Sequence, residues 1–342
     1  MTTLPKKSHN YIVIPIYYEG TPFEDNIRSI KHSIRKNNLD IQFLNLPIPT
    51  KNNLHENFDD EQYFQSQLAC ISQVIDILSP KSKILFLDFF NPGFDLIRYY
   101  CQLKNIVPKF GCLIHGSAFL KGDSYNWDWL KECELAWFNT YDVIYCPSKF
   151  LKKELQPFKT KTKAFPFGID GIKFPQSKTH KDYDVVFPHR LELDKGVDEF
   201  IEIVSDMKEV SFLVTCPQEE YVISKNPYHI HLKKHENVSF VYNQKYNQHL
   251  QTLSKCKIVL SCARQENFGY SVLKSIKCGA IPVVPNRLCY PEMYDRLNRY
   301  NNKKECIAKI KAILKNTNPN YESRITNEVQ YSFLPILLNF FK

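Results

Sequence analysis

Short apolar runs alternate with segments of helical periodicity along almost the whole 342-residue chain. YIVIPIYY (11–18) is short and rich in β-formers, and IQFLNLPI (41–48) has the same character. In EQYFQSQLACISQVIDIL (61–78), Phe64, Leu68, Ile71, Val74, Ile75 and Leu78 share one helical side. KILFLDFF (83–90) is nearly all apolar, as a strand covered on both faces must be. A helix over 93–104, the strand FGCLIHG (110–116), a Trp-rich helix over 126–138 and the strand DVIYCPS (142–148) continue the series. Strands that alternate with helices predict parallel sheets and an α/β fold.

The pattern restarts after PQSKTHKDYD (175–184), whose Pro, Ser, Thr and Lys content reads as an interdomain linker. DVVFPH (184–189) is a new first strand. A helix over 197–208 follows, then strands near 210–215, 238–242 and 257–262, a helix over 268–278 and a strand over 281–284. The reading is an N-terminal domain (1–174), the linker, a C-terminal domain (185–320) and a closing helix (321–342). Ligands of such sheets sit at the carboxyl ends of the strands, here in an expected cleft between the domains.

Composition narrows the function classes. Hydrophobic content of 43% and charged content of 24% are ordinary for a soluble globular protein. The first ten residues lack the apolar core of a signal peptide, and no run approaches the roughly 18 apolar residues of a membrane span. The expected location is the cytoplasm, a host's if the chain is phage-encoded. Eleven cysteines without a C-x-x-C pair read as reduced, packed thiols. A net charge of +9 suits a polyanionic partner: nucleic acid, an anionic membrane surface or a phosphorylated substrate. An incidental basic surface is the competing reading.

Four loops hold residue types suited to chemistry. In ARQENFGYSVLKSIKCGAIPVVPN (263–286), Glu266 and Gly269 stand at the mouth of a helix. Amides at a helix mouth suit a phosphate, and glycine admits close approach of the backbone. The carboxylate can accept hydrogen bonds from sugar hydroxyls or simply oppose the helix dipole. In FPHRLELDKGVDEF (187–200), Arg190 and Lys195 can clamp a diphosphate, or belong to a solvated loop. His115 follows an apolar strand in LIHGSAFLKGD (113–123), as a site residue or a structural one. Gly20 and Thr21 in YYEGTPFEDNI (17–27) can bring amides near a phosphate, or form an ordinary loop.

In their order, FPFGIDGIKF (165–174), HRLELDKG (189–196) and ENFGYSVLKSIKCGAIPVV (266–284) resemble the family-4-type retaining glycosyltransferases. The resemblance is strongest over 140–295 and looser at YEG and IHG. It implies a glycosyltransferase-B fold of two facing Rossmann-like domains and transfer of a sugar from a UDP- or GDP-sugar to a hydroxyl. It implies that Arg190 and Lys195 hold the donor diphosphate, that Glu266 contacts the donor sugar, and that His115 lines the reacting centre. Gly20, Thr21, Asn267, Phe268, Gly269, Tyr270 and Lys274 complete the implied donor site. The family's second glutamate, eight positions after the first, grips the ribose; here that position is Lys274, which leaves ribose binding altered, a phosphate contact added or the enzyme weakened. Glu292 is a candidate to compensate.

No cofactor or metal beyond the donor is expected. Asp182 and Asp184 form an Asp-x-Asp pair, the metal signature of the other large glycosyltransferase fold, but they sit at a strand entry after the linker. PNRLCYPEMY (285–294) together with HRLELDKG is similar to the group that holds the tRNA-queuosine mannosyltransferases and phage enzymes that glycosylate DNA bases. The expected acceptor is then a modified base, in DNA or tRNA. SKFLKKELQPFKTKTK (148–163) and HLKK (231–234) can track phosphates, and Tyr125, Trp127 and Trp129 can stack on an exposed base. The same lysines can be a solvated face, and the tryptophans core. A membrane lipid or surface glycan is the rival acceptor, and a degenerate, non-catalytic nucleotide-sugar-binding protein the rival class.

Overall fold

The computed structural model describes residues 10–15, 22–44, 60–91, 93–122, 127–158, 161–176, 180–315 and 331–342. The chain divides into two units, Met1–Ile172 with Gln330–Lys342, and Lys173–Val329.

The first unit is built on a six-stranded sheet of β1 (Tyr11–Ile14), β2 (Gln42–Phe43), β3 (Lys83–Phe86), β4 (Lys109–Leu113), β5 (Val143–Cys146) and β6 (Thr162–Ala164). All pairs are parallel, in the order β2-β1-β3-β4-β5-β6. Strands of this kind are buried on both faces: Ile84, Leu85 and Phe86 of β3 have no exposed surface. Helices Pro22–Lys36, Asp60–Ile77, Gly93–Lys104 and Asp128–Thr140 connect the strands. Phe94 and Tyr141 stack at 4.2 Å in the core beside Phe86 and Phe89.

The final helix, Leu334–Phe341, returns to this first unit. Gly111 of β4 makes room for it, since a Cβ there would lie 2.6 Å from the Phe340 ring. Asn339 accepts a hydrogen bond from Tyr145 at 2.8 Å, and Lys83 Nζ donates to the Phe341 carbonyl at 3.0 Å. The helix thus begins well inside the expected 321–342 segment; residues 316–330 lie outside the described residues.

The second unit carries β7 (Tyr183–Phe187), β8 (Phe212–Cys216), β9 (Val238–Tyr242), β10 (Cys256–Leu260), β11 (Ile281–Pro285) and β12 (Arg299–Tyr300). Again every pair is parallel, in the order β12-β11-β10-β7-β8-β9. This is the doubly wound order, and the direction of winding reverses between β7 and β10. The loops leaving the carboxyl ends of those two strands therefore frame the place where such sheets take ligands. Helix Val197–Asp206 packs Phe200 on Phe187 at 4.2 Å behind it.

Several expected boundaries shift. The helix expected over 268–278 runs Tyr270–Lys277, because the left-handed Gly269 (φ 80°) caps it and leaves Phe268 outside. The Trp-rich helix starts at Asp128, so Trp127 is its cap and not its body. β7 starts at Tyr183, inside the expected linker. Short helices Glu220–Ile223, Pro227–Leu232 and Tyr246–Leu253 add to the second unit. None of the eleven cysteines is in a disulfide. No described helix is long and apolar enough to cross a membrane.

Candidate functional site

Two loops meet at the reversal point of the second sheet. After β7 the chain passes His189 and Arg190, makes a tight turn over Leu193–Lys195, and enters helix Val197–Asp206 through Gly196. Gly196 is left-handed (φ 69°), and a Cβ on it would lie 2.1 Å from the Cys262 carbonyl oxygen. Only glycine lets the loop after β7 lie against the loop after β10. The amides of Arg264 and Gln265 close the junction, donating to the Asp194 carbonyl at 2.8 and 3.0 Å. Arg287 braces the second loop from below: Nε donates to the Ala263 carbonyl and Nη2 to the Cys262 carbonyl, both at 2.9 Å.

This backbone gathers the charged side chains. Lys195 Nζ lies 3.5 Å from Glu266 Oε2 and 3.4 Å from Asp194 Oδ2, and donates to the Gln265 carbonyl at 2.9 Å. Arg190 lies 3.4 Å from Asp194 and 3.2 Å from Glu192. Glu266 Oε1 accepts from the Gly269 amide at 2.9 Å. Glu266 thus caps the helix with one oxygen and meets Lys195 with the other. Burial alone would raise its carboxyl pKa. The Lys195 ammonium, His189 and the amides of Gly269 and Phe268 outweigh burial and hold it below the usual carboxylate range. Burial would likewise lower Lys195, but Glu266 and Asp194 keep its pKa above the ordinary value. The site is therefore ionised on both sides at neutral pH.

The residues after Glu266 divide by role. Phe268 and Tyr270 are buried, their rings 4.8 Å apart, so the backbone is what this stretch offers a ligand. Asn267 stays part-exposed and accepts from Gln265 at 3.3 Å. Lys274 is buried. It is 6% exposed, with Nζ 5.3 Å from the centre of the Tyr246 ring. The nearby His249 is pushed down to about 3, by burial first and Lys274 second. Glu292 is exposed on its own short helix.

Sequence reasoning missed two members. Asp194 bridges Arg190 and Lys195. His189 is buried among the same charges, with a pKa pushed down to about 4 by burial. The available signal was position: a polar residue two places past β7 and next to Arg190.

In the first unit, His115 lies two residues beyond β4 and Asp88 two beyond β3. Asn26 Nδ2 donates to His115 Nε2 at 2.5 Å, and His115 Nδ1 lies 3.5 Å from Asp88 Oδ1. Phe23 and Phe167 meet the imidazole edge-on at 4.7 and 5.1 Å. Burial raises the Asp88 carboxyl, and His115 opposes that shift. Trp127 and Trp129 are 47% and 55% exposed and stacked, 5.8 Å apart at 17°. They are not core; Trp137 is. Lys149, Lys152, Lys153, Lys161 and Lys163 are exposed, whereas Lys233 of HLKK is engaged by Glu220 at 2.9 Å. Gly20, Thr21 and Tyr125 lie outside the described residues. Asp182 and Asp184 meet Lys255 and Lys257 at 3.4 and 2.8 Å, and no metal-type cluster occurs among the described residues.

Comparison with known proteins agrees with the fold. Residues 169–329 match the family model described as glycosyl transferases group 1. A tRNA-queuosine alpha-mannosyltransferase of Drosophila melanogaster is 30% identical over 169 residues, covering 45% of each chain. The chain spans less than half the length of this curated relative. Among solved structures, a glycosyltransferase from Rickettsia africae superimposes with a TM-score of 0.61 at 13% identity, over 98% of this chain and 96% of that one. The S. aureus protein TarM, in a variant crystallised with fondaparinux, alpha-GlcNAc-glycerol and UDP, gives 0.59 at 17% identity, over 81% and 59%. The chain has the α/β glycosyltransferase-B fold.

Proposed function

The second unit carries the sequence signature of the group 1 glycosyl transferases, and from that premise we propose that the chain transfers a sugar from a UDP- or GDP-sugar to a hydroxyl on a modified nucleic-acid base. One observation carries the proposal. Arg190, Lys195 and Glu266 converge at the sheet's reversal point, at the mouth of a glycine-capped helix. Two cations at a helix mouth suit a diphosphate, and a carboxylate held ionised suits sugar hydroxyls.

In the reaction, the bond from the anomeric carbon to the diphosphate oxygen breaks and one to the acceptor oxygen forms. Arg190 and Lys195 stabilise the charge that grows on the leaving diphosphate. Glu266 orients the sugar. The acceptor proton passes to the departing phosphate, and the anomeric configuration is retained. The cationic clamp performs the task a metal would otherwise have, so no metal is invoked. Lys274, buried over Tyr246, serves packing in this reading and not the ribose.

For the acceptor, three features support a base. The curated relative acts on tRNA queuosine by its name. Trp127 and Trp129 form an exposed stacked pair, of the kind on which bases stack. Lys149, Lys152, Lys153, Lys161 and Lys163 are exposed, and the net charge is +9. The test is nucleoside mass spectrometry after incubation with mixed UDP- and GDP-sugars, hydroxymethylated DNA and bulk tRNA. A nucleoside heavier by one sugar is expected. Release of UDP or GDP without a new nucleoside would move the acceptor to a lipid or glycan. No turnover at all would favour a nucleotide-sugar-binding protein.

A further inference from the structure

The mechanism above leaves His189 of this charged cluster idle. It is 5% exposed, and its Nε2 is buried with no hydrogen-bond partner among the described residues. Its ring packs edge-on against Phe187 at 5.1 Å, the last residue of β7. Packing alone asks for an apolar ring there. A buried polar atom without a partner is a cost that native structures rarely carry unless something else supplies the partner.

The surroundings identify the chemistry of that partner. Glu266, Lys195, Asp194 and Arg190 all act electrostatically on His189. Those side chains bond to one another and to backbone: Lys195 to Glu266, Asp194 and the Gln265 carbonyl, Arg190 to Asp194 and Glu192. Burial keeps the imidazole neutral at working pH. A neutral ring adds a hydrogen-bond donor to an anion site without adding charge. A charged oxygen offsets the burial of such a donor better than a neutral hydroxyl does, because hydrogen bonds to charged groups are the stronger ones.

Resting on the donor-site reading above, we propose that His189 donates a hydrogen bond from Nε2 to the diphosphate of the bound nucleotide, as a third diphosphate ligand beside Arg190 and Lys195. The Nε2–H tautomer is then the one that the ligand selects. His189 is a binding and positioning residue here; it transfers no proton.

The experiment is calorimetric titration of wild type, His189→Phe and His189→Gln with UDP, GDP, UMP and GMP. Phenylalanine keeps the ring against Phe187 and removes Nε2. The expected result is a loss of about tenfold or more in affinity of His189→Phe for the diphosphate that wild type binds. The loss should be less than about twofold for the matching monophosphate, and glutamine should recover part of it, since its amide can donate. The melting temperature of His189→Phe at pH 7.5 should be unchanged or raised, because an unsatisfied buried atom has gone; a purely structural histidine would lower it. Equal loss for mono- and diphosphate, or no loss for either while wild type binds normally, overturns the inference and leaves the donor site intact. Wild type that binds neither UDP nor GDP overturns the donor-site reading itself, and this inference with it.

Discussion

The two units handle polar chemistry in opposite ways. At the reversal point of the second sheet, charges are met by charges: Lys195 by Glu266 and Asp194, Arg190 by Asp194 and Glu192. At the strand ends of the first unit, one imidazole is held by an amide, a carboxylate and two phenyl edges. The first arrangement suits a ligand that brings and releases charge. The second fixes the direction of a single ring. The difference teaches that two sheets of the same class can host unlike work, because the loops at their strand ends decide it.

Removing a charge from the first arrangement should have the largest effect. Arg190→Ala is expected to lower turnover at least about 100-fold, the scale for one preorganised stabiliser of developing charge. Nucleotide release with saturating donor measures it. Turnover near that of wild type would take Arg190 out of the mechanism and reduce the charge cluster to a structural ion network.

The sequence displayed part of this contrast. The parallel sheets were legible because buried strands such as KILF and KIVL are apolar on both faces, and the glycines of the donor loops marked the tight turns. Arg190, Lys195 and Glu266 stood out through motif order. His189 did not, since burial and an unmatched nitrogen are properties of the folded chain. Nor did the Asn26–His115–Asp88 set, whose members are 89 and 27 residues apart. Nothing local announces such meetings. The helices Glu220–Ile223 and Pro227–Leu232 span four and six residues, too few for a period to show. The return of the last helix to the first unit rests on Gly111 yielding space to Phe340, again a long-range fit.

The contrast can be sharpened by pH. Glu266 has a lowered pKa and stays ionised down to the acid side of the carboxylate range. His189 titrates between its unperturbed value of about 6.5 and its buried value of about 4. In that window the unfolded chain binds the proton more readily. Folding therefore carries no protonation penalty from this ring above about pH 6.5, and the penalty grows as pH falls toward 4, to roughly 3 kcal/mol. Melting temperatures from pH 7.5 to 4.5 should fall more steeply for wild type than for His189→Phe. His249, also held neutral by burial, adds to the decline in both proteins and cancels in the comparison. Parallel curves would mean that His189 is not buried in the folded protein.

The smallest effect should come from the buried cation of the donor helix. Lys274 occupies the middle of helix Tyr270–Lys277, buried over Tyr246 and beside a neutral His249. Lys274→Met keeps the stem and removes the ammonium. A buried charge exchanged for an apolar group of similar volume is often neutral or stabilising. Stability should then be unchanged or higher, and turnover should stay within about threefold of wild type, against the 100-fold expected for Arg190→Ala. Donor titration of both variants decides it. A loss for Lys274→Met as deep as that for Arg190→Ala would join Lys274 to the diphosphate and ribose grip. The boundary drawn here between charge that binds ligand and charge that packs would then fall one helical turn further along the chain.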